Sequence, residues 1–240
     1  AIHNSLRMAK AVKNKKPVIT PGSFEFLKNY INNASPVGFE TWGQKLWIEY
    51  LKPYVNTHYV DPYGTAVGVI NPDHPFKVVI EAHADEISWF VNYITPEGLM
   101  YLKRNGGVDH QTAPASRVFI HGKKGKVKAV FGWPAIHTRI ANPDQKEPVP
   151  RTDNLWLDCG ARNKKQVEEL GVHIGAVVTY DEGFDELANN NYVGRAFDNR
   201  IGGFMIAEVA RLLTENKKKL PYGLYVVNAV QEEIGLRGAE

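Results

Sequence analysis

The chain has almost no cysteine: Cys159 stands alone in 240 residues. A single thiol excludes an intrachain disulfide framework and makes a reducing compartment, the cytoplasm, the default location. Neither sign of charge dominates, since 29 basic against 26 acidic residues leave a formal +3 spread thinly along the sequence. That balance points to neither nucleic acid nor a membrane surface as partner. No apolar run reaches the roughly 18 residues that a membrane-spanning helix needs. Residues 1–16 are basic, but Asn14-Lys15-Lys16-Pro17 interrupts any apolar stretch behind them, so they do not read as a signal peptide. An initiator methionine is also lacking, which leaves a processed or trimmed start open. Three enzyme fingerprints are missing as well. There is no Gly-x-Ser-x-Gly elbow and no Gly-x-Gly-x-x-Gly turn, and the lysines of Gly122-Lys123-Lys124-Gly125-Lys126 suit an exposed hairpin tip because no Gly-Lys-Ser/Thr follows. Serine hydrolases, dinucleotide enzymes and P-loop proteins recede together.

What the chain does have is a 43% hydrophobic content, enough for a full globular core in one large or two smaller domains. Helical spacing of Phe24, Leu27 and Ile31, and of Trp42, Leu46, Trp47 and Leu51, predicts helices over 23–34 and 40–51, separated by the turn Ser35-Pro36-Val37-Gly38. Three β-branched segments, 55–60, 64–70 and 76–83, read as neighbouring strands of one sheet. From about 90 to 178 the texture becomes short strands (99–103, 117–120, 125–131, 155–157, 177–180) and glycine turns, with one short helix over 164–170. A compact barrel or sandwich insert is the simplest account. A helix over 199–215 and a buried strand over 222–230 then restore the α/β texture.

The chemistry concentrates where strands end. His83 and Asp85, in Glu81-Ala82-His83-Ala84-Asp85-Glu86, are two positions apart and so point the same way, as a metal ligand and its orienting carboxylate must. Glu232 and Glu233 follow a nearly continuous apolar strand, where charge costs several kcal/mol unless paired or metal-bound. Asp198 opens a predicted helix between them. Carboxyl ends of strands are where open α/β sheets put ligand sites, so the three segments can converge. An acid shared between two metal ions roughly 3.5–4 Å apart supports hydrolysis. Asp198 is the natural bridge, and of Glu232 and Glu233 one can bind metal while the other accepts the proton of the attacking water. The acidic pairs Glu168-Glu169, Asp181-Glu182 and Asp185-Glu186 are better read as solvated. His110 and His137 suit structural or substrate-edge roles, and His3, His58, His74, His121 and His173 surface or packing roles. Cys159 in Leu157-Asp158-Cys159-Gly160-Ala161 reads as an inert buried thiol.

The motifs in order, Ser35-Pro36-Val37-Gly38-Phe39-Glu40, Ala82-His83-Ala84-Asp85-Glu86-Ile87, Leu157-Asp158-Cys159-Gly160-Ala161, Gly194-Arg195-Ala196-Phe197-Asp198-Asn199-Arg200 and Gln231-Glu232-Glu233-Ile234-Gly235-Leu236-Arg237-Gly238-Ala239, resemble the TET-type metallo-aminopeptidases over nearly the whole chain. These proteins are also called deblocking or glutamyl aminopeptidases and are sometimes labelled endoglucanases. The resemblance implies a three-layer α/β/α zinc-peptidase catalytic domain from residues 1–89 and 187–240, with an inserted small β-barrel, 90–186, that helps assemble dimers into a dodecamer. It implies two divalent ions, zinc or cobalt, with His83 on one, Asp198 bridging and Glu233 on the other. Glu232 would be the general base and Asp85 would orient His83. The reaction implied is removal of N-terminal residues from peptides. In the family a further aspartate and a final histidine follow; this chain stops at Glu240 before either, which would leave each metal two protein ligands where catalytic zinc usually has three. The chain therefore reads as most of an enzyme without its C-terminal part. Two other readings stand beside this one: a related carboxypeptidase or amide hydrolase of the same metal fold, and a non-catalytic assembly subunit.

Overall fold

Capping chemistry starts the first helix. In the computed structural model, which describes residues 17–140, 148–181 and 183–239, the Thr20 hydroxyl accepts from the Ser23 amide at 3.0 Å and the Ser23 hydroxyl accepts from the Thr20 amide at 2.7 Å. With Pro21 in the first turn, this pair fixes the start of α1 (Pro21–Asn32). The readings made for residues 1–16, for His3 and for Glu182 lie outside the described residues. α2 (Thr41–Leu51) follows, then β1 (Thr57–Val60), β2 (Ala66–Ile70) and β3 (Lys77–His83). The chain continues through β4 (Ser88–Ile94), β5 (Met100–Asn105), β6 (Arg117–Gly122), β7 (Gly125–Gly132), α3 (Ile136–Arg139), β8 (Trp156–Asp158), α4 (Lys164–Glu169) and β9 (Val177–Tyr180). A short hairpin of β10 (Asp185–Leu187) and β11 (Asn191–Val193) leads to α5 (Phe197–Glu215) and β12 (Gly223–Ala229).

The strands form a four-stranded sheet in the order β1-β2-β12-β3 and a closed barrel in the order β4-β5-β8-β7-β6-β9. The fold is thus mixed α/β with a small β-barrel. The three early strands are not all neighbours as expected: the last strand inserts between β2 and β3, antiparallel to the first and parallel to the second. Such a pairing leaves no local trace, because β12 lies about 140 residues beyond β3 in the chain.

Alternation decides what each face of the sheet does. Val78, Ile80, Leu224 and Val226 face a core built with Phe26, Leu27, Tyr30, Ile31, Trp47 and Phe204 from α1, α2 and α5. On β3 the intervening residues Lys77, Val79 and Glu81 are exposed. Among the described residues the helices therefore pack against one face. α2 keeps half of the expected stripe: Trp47 and Leu51 are buried, but Trp42 is 61% exposed and Leu46 is exposed too, with Gly43 and Gln44 buried in their place. The reason is polar. Trp47 donates its indole N–H to the Gly203 carbonyl at 2.8 Å, and the Gln44 amide donates to the Asn228 carbonyl at 2.7 Å.

A second core fills the barrel, where Trp89 meets Phe131 and Tyr180 edge-on at centroid distances of 4.9 and 5.0 Å. β4, whose residues begin with Ser88 and Trp89, went unread in the sequence, as did the β10–β11 hairpin. The lysine pair 123–124 forms the tip between β6 and β7, as its glycines suggest.

Candidate metal centre

β3 and β12 run parallel with Ala229 opposite His83, and the Ala84 amide donates to the Ala229 carbonyl at 2.8 Å. Parallel neighbours end on the same side, so whatever follows His83 and whatever follows Ala229 share one rim of the sheet. Gln231 takes a left-handed backbone (φ 57°), and Glu232–Ile234 form a single 3₁₀ turn, which reverses the chain at that rim. Asp198 arrives from a third direction, in the first turn of α5.

Asp85 organises the cluster. Fully buried, its carboxylate accepts from the amides of Glu232 and Glu233 at 3.0 and 3.1 Å, tying the 3₁₀ turn to the end of β3. The same carboxylate lies 3.5 Å from His83 Nδ1, which also sits 3.2 Å from the Asp85 carbonyl. With only acceptors facing Nδ1, that nitrogen carries the proton, and Nε2 turns toward Asp198 at 3.4 Å and Glu232 at 3.6 Å. Burial disfavours a charged imidazole at His83. The Asp85 hydrogen bond and the charges of Asp85, Glu232 and Asp198 outweigh it and push the pKa up to about 9. The Glu233 carboxyl is raised, first by burial, against the pull of His83. A surplus of carboxylates around one buried imidazole is a field that attracts a cation.

His83, Glu232 and Glu233 each offer a ligand atom, and these atoms all lie within 4.8 Å of one another. One imidazole nitrogen with two carboxylate oxygens is a donor set that suits a zinc-like divalent ion. Asp198 reaches His83, but its side chain is 88% exposed and it lies outside that triplet. The residues singled out in the sequence are therefore brought to one place, and Glu232, 3.6 Å from the imidazole, stands among the possible ligands beside Glu233.

Sequence reasoning missed Glu40. This buried acid accepts from the Gly38 amide at 2.8 Å and the Gln231 amide at 3.2 Å, so the turn before α2 holds the turn that carries Glu232. Burial raises its pKa. Its place at the end of the Ser35-Pro36-Val37-Gly38-Phe39-Glu40 motif was the available signal. Of the other histidines, His121 bonds Thr179 through Nε2 at 3.0 Å and His137 is exposed on α3. Cys159 packs, partly buried, against the barrel core.

A histidine and acids gathered at the carboxyl rim of an α/β sheet that also carries a barrel define the class: an α/β protein with a candidate hydrolytic metal centre. The chain belongs to the M42 glutamyl aminopeptidase family, whose pattern matches residues 64–240. It is 33% identical over 219 residues to the putative aminopeptidase FrvX of Escherichia coli, covering 91% of this chain and 60% of that protein. Among solved structures it superposes on the TET aminopeptidase of a marine sediment archaeon, Thaumarchaeota archaeon SCGC AB-539-E09, with a TM-score of 0.86 and 29% identity over 91% of this chain and 61% of that one. It likewise matches PhTET1-12s, a dodecamer in its asymmetric unit, with a TM-score of 0.78 and 25% identity over 90% of this chain and 62% of that one. The chain thus spans about three-fifths of the length of these relatives.

Proposed function

We propose that the protein is a two-metal aminopeptidase that removes N-terminal residues from peptides. One observation carries the reading: His83, Glu232 and Glu233 offer ligand atoms within 4.8 Å of one another at a strand-end rim, with Asp198 3.4 Å from His83, in a chain of the M42 family. His83 would hold one ion, Glu233 the second, and Asp198 would be shared between them. Zinc or cobalt fits these donors. Such ions, when bound, polarise the scissile carbonyl and acidify water. The work of the chain itself is positional and protolytic. Asp85 keeps the proton of His83 on Nδ1 and holds the backbone of Glu232 and Glu233. Glu232 takes a proton from the attacking water as oxygen bonds to the carbonyl carbon, then returns it to the leaving amine as the C–N bond breaks.

The same reading places residues 1–89 and 187–240 in a three-layer α/β/α catalytic domain and 90–186 in an oligomerisation barrel, within dimers that assemble to a dodecamer. The likeness to PhTET1-12s supports the assembly. No helix among the described residues is long and apolar enough to cross a membrane. With Cys159 the lone thiol, we place the protein in the cytoplasm.

The test is hydrolysis of a free-amine peptide by zinc- or cobalt-loaded protein. Release of the N-terminal residue is expected, with no turnover of the N-acetylated peptide. Glu232→Gln should lower kcat by roughly 10²–10⁴-fold. Undiminished turnover in that variant would remove the base, and cleavage from the carboxyl end would replace the aminopeptidase reading by a carboxypeptidase one.

A further inference from the structure

The chain crosses between sheet and barrel twice, from β3 to β4 and from β9 back to α5, and a buried ion cluster joins the two crossings. Glu86 lies on the first and Arg195 on the second. The Glu86 side chain is 1% exposed, and its Oε2 lies 2.5 Å from Arg195 Nε while Arg195 Nη2 reaches Oε1 at 3.4 Å. Arg195 also donates to the Tyr180 carbonyl at the end of β9 and to the Ile31 carbonyl of α1, at 3.3 and 3.4 Å. The Ser35 amide donates to Glu86 Oε1 at 2.6 Å, and the backbones of Glu86 and Pro36 form a parallel bridge. A second guanidinium, that of Arg200, is fully buried 3.9 Å from Glu86, lies over the Tyr30 ring at 4.3 Å, donates to the Asn33 carbonyl and leaves Nε and Nη2 without a partner. Both arginines therefore approach the one Glu86 carboxylate.

These residues bracket the candidate metal centre. Glu86 follows Asp85 directly, and Arg195 and Arg200 stand three residues before and two after Asp198. The Asp198 carboxylate makes no side-chain hydrogen bond among the described residues and has His83 as its nearest charged partner, so its position follows from the backbone on either side of it. We propose that Glu86, through Arg195 and Arg200, is a positioning residue that locks the His83–Asp85 strand end against the Asp198 turn and so sets the spacing of the divalent-ion ligands. The proposal rests on the metal-site reading above. A carboxylate that touches none of the ligands can act this way because ligand orientation, as much as ligand identity, sets metal affinity. A two-point guanidinium contact fixes direction as well as distance.

The experiment measures zinc binding by calorimetry and thermal unfolding of the metal-free protein, for the full chain and two variants. Glu86→Gln should bind zinc at least tenfold more weakly at a temperature where its metal-free form is still folded. Because removing the charge of a buried carboxylate can also prevent folding, the double variant Glu86→Met/Arg195→Met is measured beside it. Replacing both members of a buried pair by apolar chains commonly restores stability. Because Arg200 stays buried without Glu86 beside it, the unfolding midpoint should recover part of the way to that of the parent while zinc binding stays at least tenfold weaker. A merely structural pair would return both together, and zinc affinity within twofold of the parent in either folded variant overturns the proposal. A parent chain that binds no divalent ion overturns the metal-site reading, and the proposal with it.

Discussion

At the scale of the residue, Asp85 does more than any ligand. It has no exposure, and it serves three donors: the Glu232 amide, the Glu233 amide and the imidazole of His83. Changing it to asparagine keeps the shape but removes the charge and turns half of the acceptor into a donor that faces backbone N–H groups. The 3₁₀ turn then loses an anchor, and His83 loses the group that fixes its tautomer. Second-layer carboxylates of this kind typically contribute 10–100-fold to metal affinity. Asp85→Asn should therefore weaken zinc binding by about that factor while the fold persists, as a metal titration beside a circular dichroism spectrum would reveal. Binding equal to the parent's would mean that the turn orients Glu232 and Glu233 unaided.

At the scale of the element, α5 crosses the sheet with little room to spare at Gly203. A Cβ on Gly203 would lie 2.9 Å from Asn228 Oδ1 and 3.0 Å from the Tyr30 hydroxyl. Neither neighbour is free to retreat, because the Asn228 amide donates to Tyr30 at 2.9 Å and to Gln44 at 2.8 Å. Gly203→Ala should cost about 1–3 kcal/mol by overpacking, lowering the unfolding midpoint by roughly 2–4 °C per kcal/mol for a chain of this size; a midpoint within a degree of the parent's would show that the helix shifts freely. This junction also marks the limit of what periodicity reveals. The apolar spacing of Phe24, Leu27 and Ile31 announced α1, and the run after Tyr222 announced β12, because each element carries its own burial pattern. The same logic found Trp47 and Leu51 but failed at Trp42 and Leu46, since the buried face of α2 is turned by Gln44 reaching β12 and the Trp47 indole reaching α5. The site followed suit. The candidates His83, Asp85, Asp198, Glu232 and Glu233 were picked out from strand-end chemistry and resemblance, whereas Glu40, Glu86, Arg195 and Arg200 contact partners up to 191 positions away, and nothing in their local sequence names those partners.

At the scale of the whole molecule, the region between barrel and sheet helices sets a pH limit. His121, on β6, joins His173, Lys123 and the 34–42 turn around a cavity of about 450 Å³. Burial, then the charge of Lys126, pulls its pKa down to about 4, against an opposing pull from Glu86. The unfolded chain holds its histidines near 6.5. Between those values the unfolded state binds a proton that the native state does not. Stability from this group is then complete above about pH 6.5 and drains away as pH falls toward 4, at no more than about 1.36 kcal/mol per pH unit and less in proportion to the solvent reaching the ring. Glu40, Glu81 and Glu233 have raised pKa values and act in the opposite sense, gaining native protons as the pH falls. A bare acid titration mixes the two, but a difference between variants separates them. Urea unfolding of the parent and of His121→Gln, each at pH 7 and pH 4.5, should show a smaller loss of stability on acidification in the variant, because glutamine keeps a hydrogen-bonding amide near Thr179 and cannot take up the proton. Equal losses in the two proteins would mean that His121 reaches solvent on protonation without disturbing the contact between barrel and turn.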